Sequence, residues 1–99
     1  MLYQWDEEKN RANKAKHGIT FEQATKAFDD PFVVSRYQGV EDGEHRHAIL
    51  GLVDGIVVLF VVFTDWSIEF DEPVNRIISA RRADRSERLI YEKERRSYR

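Results

Sequence analysis

A chain of 99 residues with 41% hydrophobic residues, 34% charged residues and two prolines has the composition of one folded domain with its own core. The absence of cysteine excludes disulfides, thiolate nucleophiles and thiolate metal sites, and it suits a reducing compartment such as the cytoplasm. The net charge of −2 hides a split: residues 1–75 carry 7 Lys/Arg against 14 Asp/Glu, whereas residues 76–99 carry 9 against 4.

The basic C-terminal quarter can face phosphate or an acidic partner, or it can be a solvated helix. The N-terminus has no basic region followed by an apolar run, and no apolar run reaches the ~18 residues of a membrane span. Neither a secretory signal nor a membrane anchor is therefore expected.

Leu2 to Trp5 alternates weakly and predicts a short first strand. Asp6 is a good N-cap, Glu7 and Glu8 place negative charge in the first turn, and Gly18 supplies a left-handed stop, so a helix is expected over Glu7 to His17. This helix has no large apolar residue. At 100° per residue, Lys9, Ala12, Asn13, Lys16 and His17 fall within an arc of ~140°. Such a face either packs loosely through alanines or points Lys, Asn and His into a site.

Thr20 and Gln23 form a capping box, with Ile19 as a staple residue, and open a helix of about two turns. Its stripe of Phe21, Ala24, Ala27 and Phe28 reads as core, and Asp29-Asp30-Pro31 ends it. Phe32 to Tyr37 reads as a strand and Gln38 to Glu44 as a polar turn. His45 to Val53 is the first arm of a hairpin, with Arg46, Ala48, Leu50 and Leu52 on one face and His45, His47, Ile49, Gly51 and Val53 on the other. His45 and His47 share a face, as metal ligands can; with no third ligand nearby, they read as surface imidazoles.

Asp54-Gly55 is the dipeptide that best supplies the positive φ angles of a type I′ turn. After it, Ile56 to Phe63 is a run of eight apolar residues, which predicts a central strand covered on both faces. Asp65 to Val74 reads as an acidic loop in which Trp66 and Phe70 either fold back on the core or form an interaction patch. Asn75 to Arg81 reads as a strand, and simple alternation sets Arg76, Ile78 and Ala80 against Ile77, Ser79 and Arg81. Asp84 and Glu87 form a second capping pattern, and a helix follows from Arg85 to about Tyr98. Its anchors are Leu89, Ile90 and Tyr91, too few for firm docking. The fold class expected is α+β: a twisted antiparallel sheet of about four strands plus a short N-terminal one, with two N-terminal helices and one C-terminal helix, in a single domain over residues 1–99.

In this order the residues resemble the BrnT toxins. The match runs through Trp5-Asp6, Lys9, Asn13, Lys16-His17-Gly18, Phe21 and Ala24, then Phe28-Asp29-Asp30-Pro31, Glu44 and Arg46, and Gly51. It ends with Arg76-Ile77-Ile78-Ser79-Ala80-Arg81, Ala83, Glu87 and Tyr91. It departs after Thr64, where the loop is several residues longer and more acidic than is usual in the family. The resemblance implies a fold related to the RelE-type ribonuclease toxins and a toxin of a type II toxin–antitoxin system that cleaves RNA and slows translation. It also implies a BrnA-type ribbon-helix-helix antitoxin, in a heterotetramer that contacts operator DNA through the antitoxin and represses its own operon. No cofactor or metal is implied.

Metal-independent cleavage of RNA by its own 2′-OH needs a base, an acid and cations for the crowded phosphorane. His17 suits acid–base work because its ordinary pKa of ~6.5 lies in the working range. With Arg76 and Lys9 it makes up the expected catalytic set. Lys16, Arg46, Arg81 and Asn13 are the expected phosphate-binding residues, and Tyr91 can donate a hydrogen bond or stack on a base. Against this, Glu44 can hold Arg46 in an ion pair, and Lys9, Asn13 and Lys16 can brace the helix–sheet junction. Alternation places Arg76 and Arg81 on opposite faces, so they are not expected to share a phosphate.

Overall fold

The apolar run after Asp54-Gly55 takes the middle of the fold. In the computed structural model, which describes residues 1–97, five strands lie in the order β1 (Leu2–Gln4), β5 (Val74–Arg82), β4 (Val57–Asp65), β3 (Glu44–Val53), β2 (Val34–Glu41). β4 is the central strand and is covered on both faces. Leu59 and Val61 enter one buried cluster with Ile19, Phe21, Ala24, Ala27, Ile49 and Ile77, while Val58 and Phe60 pack in a second with Val34, Leu50 and Tyr91.

All strand pairs are antiparallel except β1 with β5, which is parallel and only three residues long. The sheet is therefore mixed rather than purely antiparallel, though the α+β class stands. Asp54 and Gly55 both have positive φ, 54° and 68°, as the turn requires. The ladder closes at Val53–Val57, however, so Ile56 falls outside β4 and is 85% exposed. A second positive-φ pair, Asp42 and Gly43, turns β2 directly into β3, so the polar segment read as a turn is mostly strand.

Helix α1 (Glu7–His17) has the expected ends: the Asp6 carboxylate accepts from the backbone N–H of Glu8 and Lys9, and Gly18 at φ 72° closes it. The expected two-turn second helix is instead α2 (Phe21–Thr25) followed by a 3₁₀ turn over Lys26–Asp29. That turn presses on β3 at Gly51, where a Cβ would lie 2.3 Å from the Ala27 carbonyl oxygen. Only a residue without a side chain permits this approach. The acidic loop contains a short helix, α3 (Ser67–Phe70), stopped by Asp71 at φ 54°.

The last helix, α4 (Arg85–Ser97), begins with the expected reciprocal Asp84–Glu87 cap. Tyr98, to which it was expected to run, lies outside the described residues. Of its three expected anchors only Tyr91 is fully buried; Leu89 and Ile90 are 57% and 39% exposed.

One irregularity sets the placement of the arginines. β4 alternates normally, but its pairing with β5 shifts between Val62–Ser79 and Phe63–Ile77, which leaves Ile78 as an extra residue. A bulge of this kind resets the alternation of the strand that carries it. Ile77 and Ala80 thus share the first buried cluster, while Arg76, opposite Thr64, and Arg81, opposite Phe60, share the other face. The expectation that Arg76 and Arg81 lie on opposite faces is corrected by this one residue.

Candidate functional site

Beyond Gln4, β5 has no strand on its outer side, and α1 fills the gap with an amide. Asn13 Nδ2 donates to the carbonyl of Ala80 at 2.8 Å and to that of Ile19 at 2.8 Å, and Asn13 Oδ1 accepts from the Ala80 N–H at 3.1 Å. The side chain thus pairs with the edge of β5 as a neighbouring strand would, satisfying backbone groups that would otherwise be buried without partners. Asn10, next to it, accepts from the Phe21 N–H at 2.8 Å and donates to Glu22 at 2.9 Å and Glu7 at 3.0 Å. The polar face of α1 is a structural junction, and Asn13 has no free donor for a phosphate.

This junction orients the rest of the helix. Asn13 meets β5 in the plane of the sheet and Asn10 turns toward α2. At 100° per residue, Lys9 and Lys16 lie on the other side of Asn13 from Asn10, toward the sheet face that carries the arginines. Both lysines are exposed. His17 lies on the Asn10 side, half-buried at the end of α1. By this spacing Lys9 and Lys16 flank Asn13 on the side of the arginine face, and His17 flanks it on the other.

The arginine face consists of residues that project from the sheet opposite α2. Arg76 stands beside Thr64, and Arg46 is placed one residue beyond the His47–Phe63 pair, so Arg46, Thr64 and Arg76 form a row. Arg36 is opposite Ala48, whose β4 partner Val62 pairs with Ser79. Arg81 ends a third row through Phe60, Leu50 and Val34. Helix α4 covers the end of this face, from the third row to Leu52, Val58 and Ala83, hung on the Tyr91 hydroxyl, which donates to Asp30 Oδ2 at 2.5 Å. The same carboxylate oxygen accepts from the Leu52 N–H at 2.7 Å. Burial and Asp30 together push the Tyr91 hydroxyl far above its ordinary pKa. Its ring is fully buried, so the expected role in stacking on a base is corrected: Tyr91 fastens α4 to the sheet.

The arginines are held in different ways. Arg81 donates to both oxygens of Glu87, at 2.7 and 3.0 Å, and its guanidinium lies 4.3 Å over the Phe60 ring. Glu87 raises the Arg81 pKa, and Arg81 holds the Glu87 carboxyl below the usual range, so the pair is mutually neutralised. Arg46 is 14% exposed at its side chain and lies 3.3 Å from Glu41 and 3.7 Å from Asp42; its buried Nε has no hydrogen-bond partner among the described residues. The partner expected for it, Glu44, instead accepts from the indole N–H of Trp66 at 2.7 Å. Arg76 has neutral neighbours: it donates to Gln4 Oε1 at 2.9 Å and stacks 4.4 Å over the Trp66 ring.

Sequence reasoning missed Gln4, Arg36 and Trp66 as members of this face. Arg36 was discoverable, because it shares its strand face with Val34. Gln4 carried no signal, and Trp66 was read only as folding back on the core or forming an interaction patch, since the parallel β1–β5 pairing and the fold of the loop are tertiary facts. On the other face, Tyr37 OH is 2.8 Å from His45 Nδ1 and His47 stacks on Phe63 at 5.7 Å. Among the described residues no third ligand side chain joins the two imidazoles.

A family model described as "Ribonuclease toxin, BrnT, of type II toxin-antitoxin system" matches residues 5–87. The chain belongs to the BrnT family. It is accordingly a ribonuclease toxin of a type II toxin–antitoxin system, with the antitoxin partner and RNA target that such a system implies. The crystal structure of the Brucella abortus ribonuclease toxin BrnT has the same fold, with a TM-score of 0.60 and 23% identity, over 86% of this chain and 100% of that one. No curated protein matches. No described helix of this BrnT-family chain is long and apolar enough to cross a membrane.

Proposed function

We propose that this toxin cuts RNA without a metal, on the arginine face, by attack of a 2′-OH on the adjacent phosphorus. The O2′–P bond forms, the P–O5′ bond breaks, the 2′ proton passes to a base and the 5′ oxygen receives a proton from an acid, leaving a 2′,3′-cyclic phosphate. Arg76 supports this reading best: it faces outward from the sheet with a planar fork of donors and, among the described residues, no carboxylate within ion-pair distance to cancel its charge. Lys9 and Lys16 border the same face and bind the neighbouring phosphates, while Arg46 adds positive potential from its half-paired position. His17 flanks Asn13 on the side away from Arg76, so it carries the proton only if the RNA wraps the edge of β5; otherwise Lys9, on the arginine side of α1, does so.

The experiment is cleavage of messenger RNA in EDTA by wild type, Arg76→Ala and His17→Ala, with folding checked by circular dichroism. Removing a cation aimed at transition-state charge lowers kcat by ~10²–10³, so Arg76→Ala is expected to be nearly inactive. Removing a positioned acid or base costs roughly 10²–10⁴, which is the expectation for His17→Ala. If His17→Ala cuts as fast as wild type, proton transfer belongs to the lysines; if Arg76→Ala does, the site is elsewhere.

The internal pairing of Arg81 and Arg46 favours a second reading, an RNA-binding or repressor-complex subunit without turnover. It predicts binding whose log–log salt slope grows by ~0.7 per phosphate contacted, with no product. In either reading the partner is proposed to be a BrnA-type ribbon-helix-helix antitoxin in a heterotetramer that represses the shared operon in the cytoplasm. Co-expression with the neighbouring reading frame, followed by measurement of complex mass and operator binding, tests this.

A further inference from the structure

The segment Asp65–Val74, which reads in sequence as an acidic loop, is folded rather than slack. Asp65 Oδ1 accepts from the Ser67 N–H at 2.9 Å and from the Ser67 hydroxyl at 2.5 Å. Ser67 Oγ in turn accepts from the Val74 N–H at 3.1 Å, and the Trp66 N–H donates to the Val74 carbonyl at 2.9 Å. These bonds close the segment into a loop whose ends are fixed to β4 and β5. They return Trp66 to the arginine face, where Glu44 holds the indole N–H and Phe70 stacks against the ring at 5.9 Å and 16°.

The consequence falls on Arg76. Arg46 and Arg81 are held by carboxylates, which fix a guanidinium but cancel its charge. Among the described residues no carboxylate lies within ion-pair distance of Arg76; Trp66 and Gln4 hold it instead. An indole face fixes the plane of a guanidinium while leaving the donors in that plane free. Gln4 takes one N–H, and the others remain for a phosphate. The hold costs Arg76 no charge.

We propose that Trp66 is a positioning residue for Arg76, a neutral platform supplied by the loop between β4 and β5, and that it sets the guanidinium for the phosphate in flight. This rests on the assignment of Arg76 as the transition-state cation. A cation misplaced by about 1 Å costs ~10²-fold in rate, so Trp66→Ala is expected to lower kcat roughly 10–100-fold while RNA affinity changes far less.

The test is single-turnover cleavage of an unstructured ribooligonucleotide in EDTA by wild type, Trp66→Ala, Trp66→Phe, Trp66→Leu and Arg76→Ala, with dissociation constants and thermal midpoints measured alongside. Phe and Leu both fill the space, but only Phe offers a π face. Support is loss of kcat in Trp66→Leu and Trp66→Ala with substantial recovery in Trp66→Phe. If Trp66→Ala does not fold, the Phe–Leu pair decides alone. Equal rates for Phe and Leu, or a Trp66→Ala enzyme as fast as wild type while Arg76→Ala is inactive, overturn the inference and leave the assignment of Arg76 standing. An Arg76→Ala enzyme as fast as wild type removes that assignment and the inference with it.

Discussion

The two faces of one sheet solve opposite problems. Toward α1 and α2, every buried side-chain polar atom among the described residues has a partner: Asn13 and Asn10 complete the backbone of β5 and α2, and the space between is closed by Phe21, Ala24, Ala27 and the edge-to-face pair Phe28–Phe63. On the other face α4 covers one end, and the remaining surface carries arginines at different degrees of compensation. Stability is concentrated where groups are matched, and capacity for chemistry where a charge is held without being matched. Residues that look alike in sequence therefore differ in role. Asn13 and Lys16 lie one turn apart on α1, yet the first is committed to the backbone and the second is open.

The strongest way to break this comparison is at Asn13. Asn13→Ala leaves the Ala80 N–H, the Ala80 carbonyl and the Ile19 carbonyl without their partner, at about 1–3 kcal/mol for each group that water does not reach. A loss of about 3 kcal/mol is expected, seen as a fall of more than ~10 °C in the thermal midpoint for a domain of this size. Cleavage at a temperature where the variant is folded should stay near wild type. Full stability with lost cleavage would move Asn13 to the functional face.

A smaller effect separates the arginines. Arg81→Ala removes a partly exposed pair with Glu87, so its cost in stability is expected at about 1 kcal/mol or less, with cleavage lowered only a few-fold. The measurement is a side-by-side rate for Arg81→Ala and Arg76→Ala. Equal, large losses would show that compensation by Glu87 does not silence Arg81.

The smallest effect is with pH. Glu87 is held below its ordinary value of 4.5 by Arg81, and Asp65 and Asp84 are held below theirs by hydrogen bonds from Ser67 and from the start of α4. A carboxylate whose folded pKa is depressed adds stability above its unfolded pKa and loses it as pH falls through the folded one. The thermal midpoint should therefore be flat from neutrality to about the ordinary carboxylate range and fall below it. Glu87→Gln should soften that fall. A midpoint that declines above the carboxylate range would point to groups other than these.

Much of the architecture was legible because its causes are local. Asp6 and Gly18 bound α1, Thr20 and Gln23 cap α2, Asp84 and Glu87 cap α4, and Asp54-Gly55 followed by an unbroken apolar run marks the turn and central strand. Each is a preference of a few neighbouring residues for one backbone shape, so the residue types suffice to reveal it. The family pattern was readable for the same reason, as spacing along the chain. The relative faces of Arg76 and Arg81 were not readable, because they turn on Ile78, an extra residue visible only once β5 pairs with β4. Nor was the difference between Arg76, Arg46 and Arg81, since charge compensation depends on which side chains arrive from distant strands and helices. The role of Asn13 likewise required knowing that β5 runs out of strand partners beyond Gln4. Residue order alone determined the elements and the family; long-range pairing decided which cations keep their charge, because hydrogen-bond register and electrostatic matching exist only between segments brought together by the fold.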